Sequence, residues 1–212
     1  MRAIRITANK LSMHDFIYLA SQSPRRSQLL AQLGIRHELL LAGSDEDAEA
    51  IEAMLPNEPP TNYVKRVTAL KLDAALLRRK RRALPSAPVL CADTTVALGR
   101  TIYSKPLDAR DAHRMLGELS GKTHRVLTAV AIGTDRKRVQ LMSESRVTFA
   151  SMSPAQIQAY VASGEPLGKA GAYAVQGRAA AFISHISGSY SGIMGLPVFE
   201  TAQMLQSTGF RF

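Results

Sequence analysis

The sequence predicts an α/β or α+β fold, and three observations carry that expectation. Short apolar runs such as FIYLA (16–20) and VLCADTTVAL (89–98) alternate with longer segments of helical spacing. No internal repeat or linker divides the 212 residues. Hydrophobic residues make up 46% of the chain, enough to fill a substantial core.

The elements follow in order. FIYLA is the expected first strand and leads into SQSPRRSQLLAQLG (21–34). There Pro24 suits the first turn of a helix over 24–33, Ser23 can cap it and Gly34 can end it. HELLLA (37–42) reads as a second strand, and residues 43–60, acidic and then Pro-rich, as a loop. Tyr63, Val67, Leu70, Ala74 and Leu77 recur at helical spacing in the next segment. PVLCADTTVALG is a strand that Gly99 and Arg100 turn back into TIYSKP (101–106). Asp108 is placed to cap a helix to about residue 119. HRVLTAVAIG and VQLMSESRVTFA form a strand pair across a basic turn. Ser153 and Pro154 start a helix that Gly164 ends, a Gly-rich stretch runs over 165–197, and a last helix begins near Pro197.

Composition narrows the partners. Lys plus Arg number 27 against 17 Asp plus Glu, a formal charge of +10 that favours anions. Cys91 is the only cysteine, so no intrachain disulfide can form. No apolar run approaches a membrane span, so no membrane partner is expected. The opening MRAIRITANKLSMHDF lacks a secretory apolar stretch. The expected organisation is a short extension at 1–15, with Met13 as an alternative start, before a domain at 16–212. The expected location is cytoplasmic.

Several residues are of types that carry chemistry. Arg25 and Arg26 sit in the first turn of a helix, where the dipole repels cations. The Ser153-Pro154 start carries no such pair, so Ser-Pro capping does not require it. Free amides at a helix N-terminus bind phosphate, and guanidiniums add bidentate donors; two solvated arginines are the bland alternative. Asp93 interrupts an apolar strand and shares a face with Val89, Cys91 and Thr95. A carboxylate held there can act as a base or bind a hard cation, or be a structural partner of an amide or lysine. Glu46 is a second candidate oxygen donor or part of a solvated acidic loop. Lys71 lies at the edge of the apolar stripe of its helix and would snorkel or reach a charged cleft. Lys105 precedes Pro106 in YSKP. Gln176, in the Gly-rich stretch, carries the donor and acceptor needed to read a base edge. LGELSGKTH is no phosphate-binding P-loop: only three residues separate Gly117 and Gly121, and Gly121 reads as a helix end. RRKRR (78–82) is expected to be a solvated helix terminus rather than a nucleic-acid contact.

Taken in order, LASQSPRRSQLLAQLGI, LCADTTVAL with SKP, LSGKTHRVLTAVA, and YVASGEPLGKAGAYAVQGRAA through GSYSGIMGLPVFET resemble the Maf family of nucleotide pyrophosphatases, over nearly all of Ile17 to Leu205. The resemblance implies a fold similar to inosine triphosphate pyrophosphatases: a mixed twisted sheet with flanking helices and two lobes around a nucleotide cleft. It implies hydrolysis of a nucleoside triphosphate to monophosphate and pyrophosphate, with a divalent cation, magnesium or manganese. It assigns Asp93 as proton acceptor and metal ligand, Glu46 as an assisting acid, Ser23 and Arg26 with Arg25 as the phosphate-contacting turn, and Lys71, Lys105 and Lys169 as cleft cations. Arg25, Thr94 and Gln176 match the specificity positions of the dTTP/UTP branch. Gly168 and Gly192 depart from the family's common Asp and Asn. The oligomeric state is left open between monomer and homodimer. The alternatives are a basic nucleic-acid-binding module and a regulatory nucleotide-binding protein without turnover.

Overall fold

A ten-residue strand, β3 (Val89–Leu98), organises the sheet. The computed structural model describes residues 15–43, 46, 48–208 and 210. The expected extension, apart from Asp15, lies outside them, as does Met13. In β3 each stretch has a different neighbour. Leu90 and the residue before it pair in parallel with β1 (Ile17–Leu19), which pairs in parallel with β2 (His37–Leu39). Val96 to Leu98 pair antiparallel with β4 (Thr101–Tyr103). The opposite edge of β3 runs antiparallel to β5 (Thr123–Gly133), which continues to β6 (Arg138–Phe149) and β7 (Ile183–Ser187). The result is a mixed seven-stranded sheet.

Between the end of the β1 pairing at Leu90 and the start of the β4 pairing at Val96, one edge of β3 has no neighbouring strand. Pro88 and Leu90 turn their carbonyls toward β1, accepting from Tyr18 and Ala20 at 2.8 and 2.9 Å. By strand alternation the backbone groups of Ala92 and Thr94 face the opening.

Helices cover both faces. α1 (Pro24–Gln32) and α7 (Val198–Ser207) pack with Ile17, Leu19, Leu90 and Ala92. The 22-residue α3 (Pro60–Arg81) follows a short α2 (Ala48–Ile51) and covers the other face through Leu72, Ala75 and Leu76. α4 (Ala109–Leu119) and α5 (Pro154–Ala162) build a further core on Val96, Val126, Val147 and Phe149. Burying each such aliphatic side chain contributes ~1.5–3 kcal/mol. α6 (Tyr190–Met194) closes the set.

Most sequence expectations hold. Asp108 caps α4 by accepting from the Asp111 amide, and Ser153 forms a full capping box with Gln156. Gly121 does follow the end of α4. Other expectations need correction. Ser23 occupies the N-cap of α1 but makes no side-chain cap bond. The 43–60 segment contains α2, and the Gly-rich stretch contains β7 and α6. The stripe of α3 is also displaced: Leu70 and Leu77 are exposed, whereas Val64, Thr68, Ala75 and Arg78 face inward. Lys71 falls on that inward face, seven residues after Val64. RRKRR is only half solvated. Arg78 and Arg79 are buried, Arg78 bonded to Glu46 and the Leu40 carbonyl, Arg79 to Asp135 and the Ala87 carbonyl. Carboxylates brought from distant segments remove the reason for those two guanidiniums to seek water.

His124 on β5 is buried between Phe149 and Tyr173 and hydrogen-bonded to the Tyr173 hydroxyl at 2.8 Å. Burial holds its imidazole neutral and pushes its pKa from 6.5 down to about 4. Unfolding frees a ring that binds a proton within that window, so stability rises with pH through it and is lost on acidification. Urea unfolding should show about 2 kcal/mol less stability at pH 5 than at pH 7 from this residue. His124→Gln should flatten that difference; an unchanged slope in the variant would remove His124 as its source.

Candidate functional site

The open stretch of β3 is where the charged groups meet. Asp93 projects to the α3 side, where Lys71 donates to its Oδ1 at 2.5 Å. The same ammonium donates to Glu52 Oε1 at 2.7 Å. Lys105, beyond β4, stands 3.6 Å from Glu52 Oε2. Glu52 follows α2 directly, and the Tyr63 hydroxyl from α3 fixes its carbonyl at 2.9 Å. Glu52, Tyr63, Asp93, Thr94, Thr95, Tyr103 and Lys105 are among the residues lining the cleft. The buried Thr95 hydroxyl in that wall has no hydrogen-bond partner among the described residues.

The electrostatics follow from this packing. Burial pushes the pKa of Lys71 down, but Asp93 and Glu52 outweigh it and leave it raised. Burial pushes Glu52 up, and Lys71 and Lys105 more than reverse this, leaving its pKa lowered. Lys71 therefore keeps its proton while Glu52 stays ionised. Burial, with Asp93 adding to it, pushes Tyr63 up to about 12, so it remains a hydrogen-bond donor.

Thr94 projects to the opposite face. Its hydroxyl contacts Thr128 Oγ1 at 3.0 Å, and Thr128 donates to the Gly192 carbonyl at 2.7 Å. Arg26 Nε donates to the Gly195 carbonyl at 2.7 Å and Nη1 to Ser21 Oγ at 2.9 Å. Arg25 Nε donates to the Met194 carbonyl at 3.3 Å. The arginine pair in the first turn of α1 thus grips the carbonyl end of α6, where the local field favours cations. Gly195 suits this helix end through its φ of +115°, a conformation that glycine adopts readily; a Cβ there would meet Thr94 and Arg26 only at ordinary contact distance. Burial lowers the pKa of Arg26, with Asp93 and Glu52 opposing. Arg26 thus lies within the field of the two cleft carboxylates.

Asp93 and Lys71 are in direct contact and Lys105 approaches through Glu52, while Thr94 lines the same cleft with its hydroxyl on the other face. Lys169 precedes Ala170 of the cleft wall and donates to the Leu167 carbonyl. Gln176 lies on an exposed turn. The expectation for Glu46 needs correction: Arg78 holds both its oxygens, at 2.7 and 2.6 Å, so it serves α3 rather than the cleft. Glu52, and not Glu46, is the second acid in contact with Lys71. Sequence reasoning passed over Glu52 because its acidic stretch looked like a loop. Ile51 within that stretch was the one local sign of an ordered turn.

Among the described residues no group of three or more His, Cys, Asp or Glu side chains is arranged to hold a metal. Asp93 and Glu52 nonetheless form a hard donor pair, each with one oxygen on Lys71. Two carboxylates completed by phosphate oxygens suit magnesium, so the residues present fit such a cation.

The family described as Maf-like protein matches residues 16–208. The dTTP/UTP pyrophosphatase of Albidiferax ferrireducens is 78% identical over 199 residues, 94% of this chain and 100% of that protein. The protein of the same description from Polaromonas sp. is 66% identical, over 93% of this chain and 98% of that protein. Among solved structures, the Ham1 protein of Staphylococcus aureus aligns over 63% of this chain and 71% of that one, at 13% identity and a TM-score of 0.39. Among the described residues no helix is long and apolar enough to cross a membrane.

Glu46→Ala should strand the Arg78 guanidinium in a buried position and cost about 2–3 kcal/mol in urea unfolding at neutral pH. A loss below about 0.5 kcal/mol, the range of an exposed pair, would contradict this assignment.

Proposed function

The chain belongs to the Maf-like family, and on that premise we propose that it hydrolyses nucleoside triphosphates, dTTP and UTP foremost, to the monophosphate and pyrophosphate. The observation that carries this reading is the Asp93–Lys71–Glu52 network at the open edge of β3. It fixes the Asp93 carboxylate beside Lys71, with Lys105 nearby, so that an acid and cations stand together where a polyphosphate could bind.

In the proposed reaction the triphosphate lies between the Ser23–Arg26 turn and Lys71, Lys105 and Lys169. A water oxygen attacks the α-phosphorus, the bridging P–O bond to the β-phosphate breaks, and pyrophosphate leaves. Asp93 accepts the proton of the attacking water. Lys71 holds Asp93 and Glu52 in place and keeps them from repelling one another. Lys105 and the arginines offset the charge that develops on the phosphoryl oxygens. Magnesium or manganese, held by Asp93 and Glu52, would polarise a phosphoryl oxygen when bound.

Base selectivity falls to Arg25, Thr94 and Gln176. The Gln176 amide offers both a donor and an acceptor to the mixed edge of uracil or thymine. Arg78 and Arg79 are held internally, so RRKRR offers only Lys80, Arg81 and Arg82 to an anionic partner such as nucleic acid.

A magnesium-supplemented panel of nucleoside triphosphates, read as pyrophosphate and monophosphate, tests the reading. Asp93→Asn should lower kcat about 10²–10⁴-fold. Glu52→Gln should cost about 10–100-fold, while Glu46→Gln leaves turnover of the folded protein near the parent value. Parent-like hydrolysis by Asp93→Asn would end the base assignment. A larger loss from Glu46→Gln than from Glu52→Gln would reverse the choice of acid.

A further inference from the structure

The turn that bears Gln176 is held by neither strand nor helix. The Gly177 amide donates to the Ala174 carbonyl at 3.0 Å, which makes Val175 and Gln176 the central residues of a β-turn. Ala174 and Val175 are buried while Gln176 is exposed. Two side chains from the end of α5 and just beyond it fix this turn. The Tyr160 hydroxyl donates to Glu165 Oε1 at 2.9 Å. The Arg178 amide donates to Glu165 Oε2 at 3.0 Å, and the Ala179 amide also interacts with that carboxylate. On the other side of the turn the Ala174 amide interacts with the Tyr160 hydroxyl.

Gly177 completes the arrangement. A Cβ at this position would sit 2.2 Å from Glu165 Oε1 and 2.5 Å from its Cδ, so the missing side chain is what lets the carboxylate close on the turn. Tyr160 is itself only 4% exposed and packs edge-on to Phe182. Its ring anchors the hydroxyl, so the turn is fastened to the α4–α5 core on both flanks of Gln176.

We infer that Glu165 and Tyr160 are positioning residues that hold the Gln176 turn in register with the nucleobase and thereby set base selectivity without touching the substrate. This rests on the reading that Gln176 meets the base. A carboxylate can accept from two amides and a phenol at once, which a neutral acceptor of the same size cannot. Loosening either member lets the turn sample other positions. Gln176 must then be ordered again on binding, and the cost appears in KM and in discrimination rather than in the bond-breaking step.

Steady-state kinetics with UTP and GTP test the inference. Tyr160→Phe and Glu165→Ala should each raise KM for UTP about tenfold and lower the UTP-over-GTP ratio of kcat/KM by a similar factor. kcat for UTP should change less than KM. Glu165→Gln, which keeps one acceptor for the Arg178 amide, should recover part of the loss. In a Gln176→Ala background, Glu165→Ala should shift the ratio no further. Tyr160→Phe retains the ring and its packing, and so reports even where Glu165→Ala fails to fold. A parent ratio in Tyr160→Phe, with Gln176→Ala altering it, would reduce the clamp to a structural staple. A parent ratio in Gln176→Ala itself would instead overturn the reading of Gln176, and the clamp's role in selectivity with it.

Discussion

A single ammonium between two carboxylates is the constraint on which the site depends. Lys71 lies on the inward face of α3, a position that Val64, Thr68 and Ala75 would lead one to fill with an apolar side chain. Burying a lone lysine there would be costly. Asp93 from the sheet and Glu52 from the segment after α2 make it tolerable, and they depend on it in turn. Without the ammonium, two partly buried carboxylates would face each other with no opposite charge between them, and their repulsion would go uncompensated. The network therefore fixes protonation state and geometry together.

The sheet makes room for that network by exchanging neighbours along β3. A strand paired along both edges would bury the backbone of residues 91–95 on either side. Here β1 stops at Leu90 and β4 begins at Val96, so the strand supplies rigidity from β5 while leaving its other edge accessible. Asp93 and Thr94 sit in the interval and project to opposite faces. One meets Lys71 and Glu52; the other meets the junction of α1 with α6. The two faces have separate cores, so the carboxylate–ammonium network and the arginine pair flank β3 from opposite sides on elements that share little packing.

The arginine pair of α1 illustrates how far a local rule can be read. In the first turn of an isolated helix it is unfavourable. The structure supplies the C-terminal carbonyls of α6 as partners, with Gly195 at φ +115° ending that helix. A guanidinium has five donors, so gripping a carbonyl does not exhaust Arg25 or Arg26. The same logic governs RRKRR. Arg78 and Arg79 are matched by Glu46, Asp135 and two backbone carbonyls, whereas Lys80 and Arg81 remain exposed.

The order of strands and helices, the caps at Asp108 and Ser153, the lone carboxylate of β3 and the ordered motifs of the family were legible in the sequence. Each is encoded within a few residues, by alternation, helical spacing or a capping side chain. The pairing of Glu52 rather than Glu46 with Lys71, the inward turn of Lys71 and Arg78, and the strand hidden in the Gly-rich stretch were not. They rest on contacts between residues 19 to 41 positions apart, Lys71 with Glu52 and Asp93, Arg78 with Glu46, β6 with β7. A charge in a sequence states what partner it needs. Only the folded chain decides which of several acids comes within reach, because burial makes that pairing obligatory and local spacing does not record it.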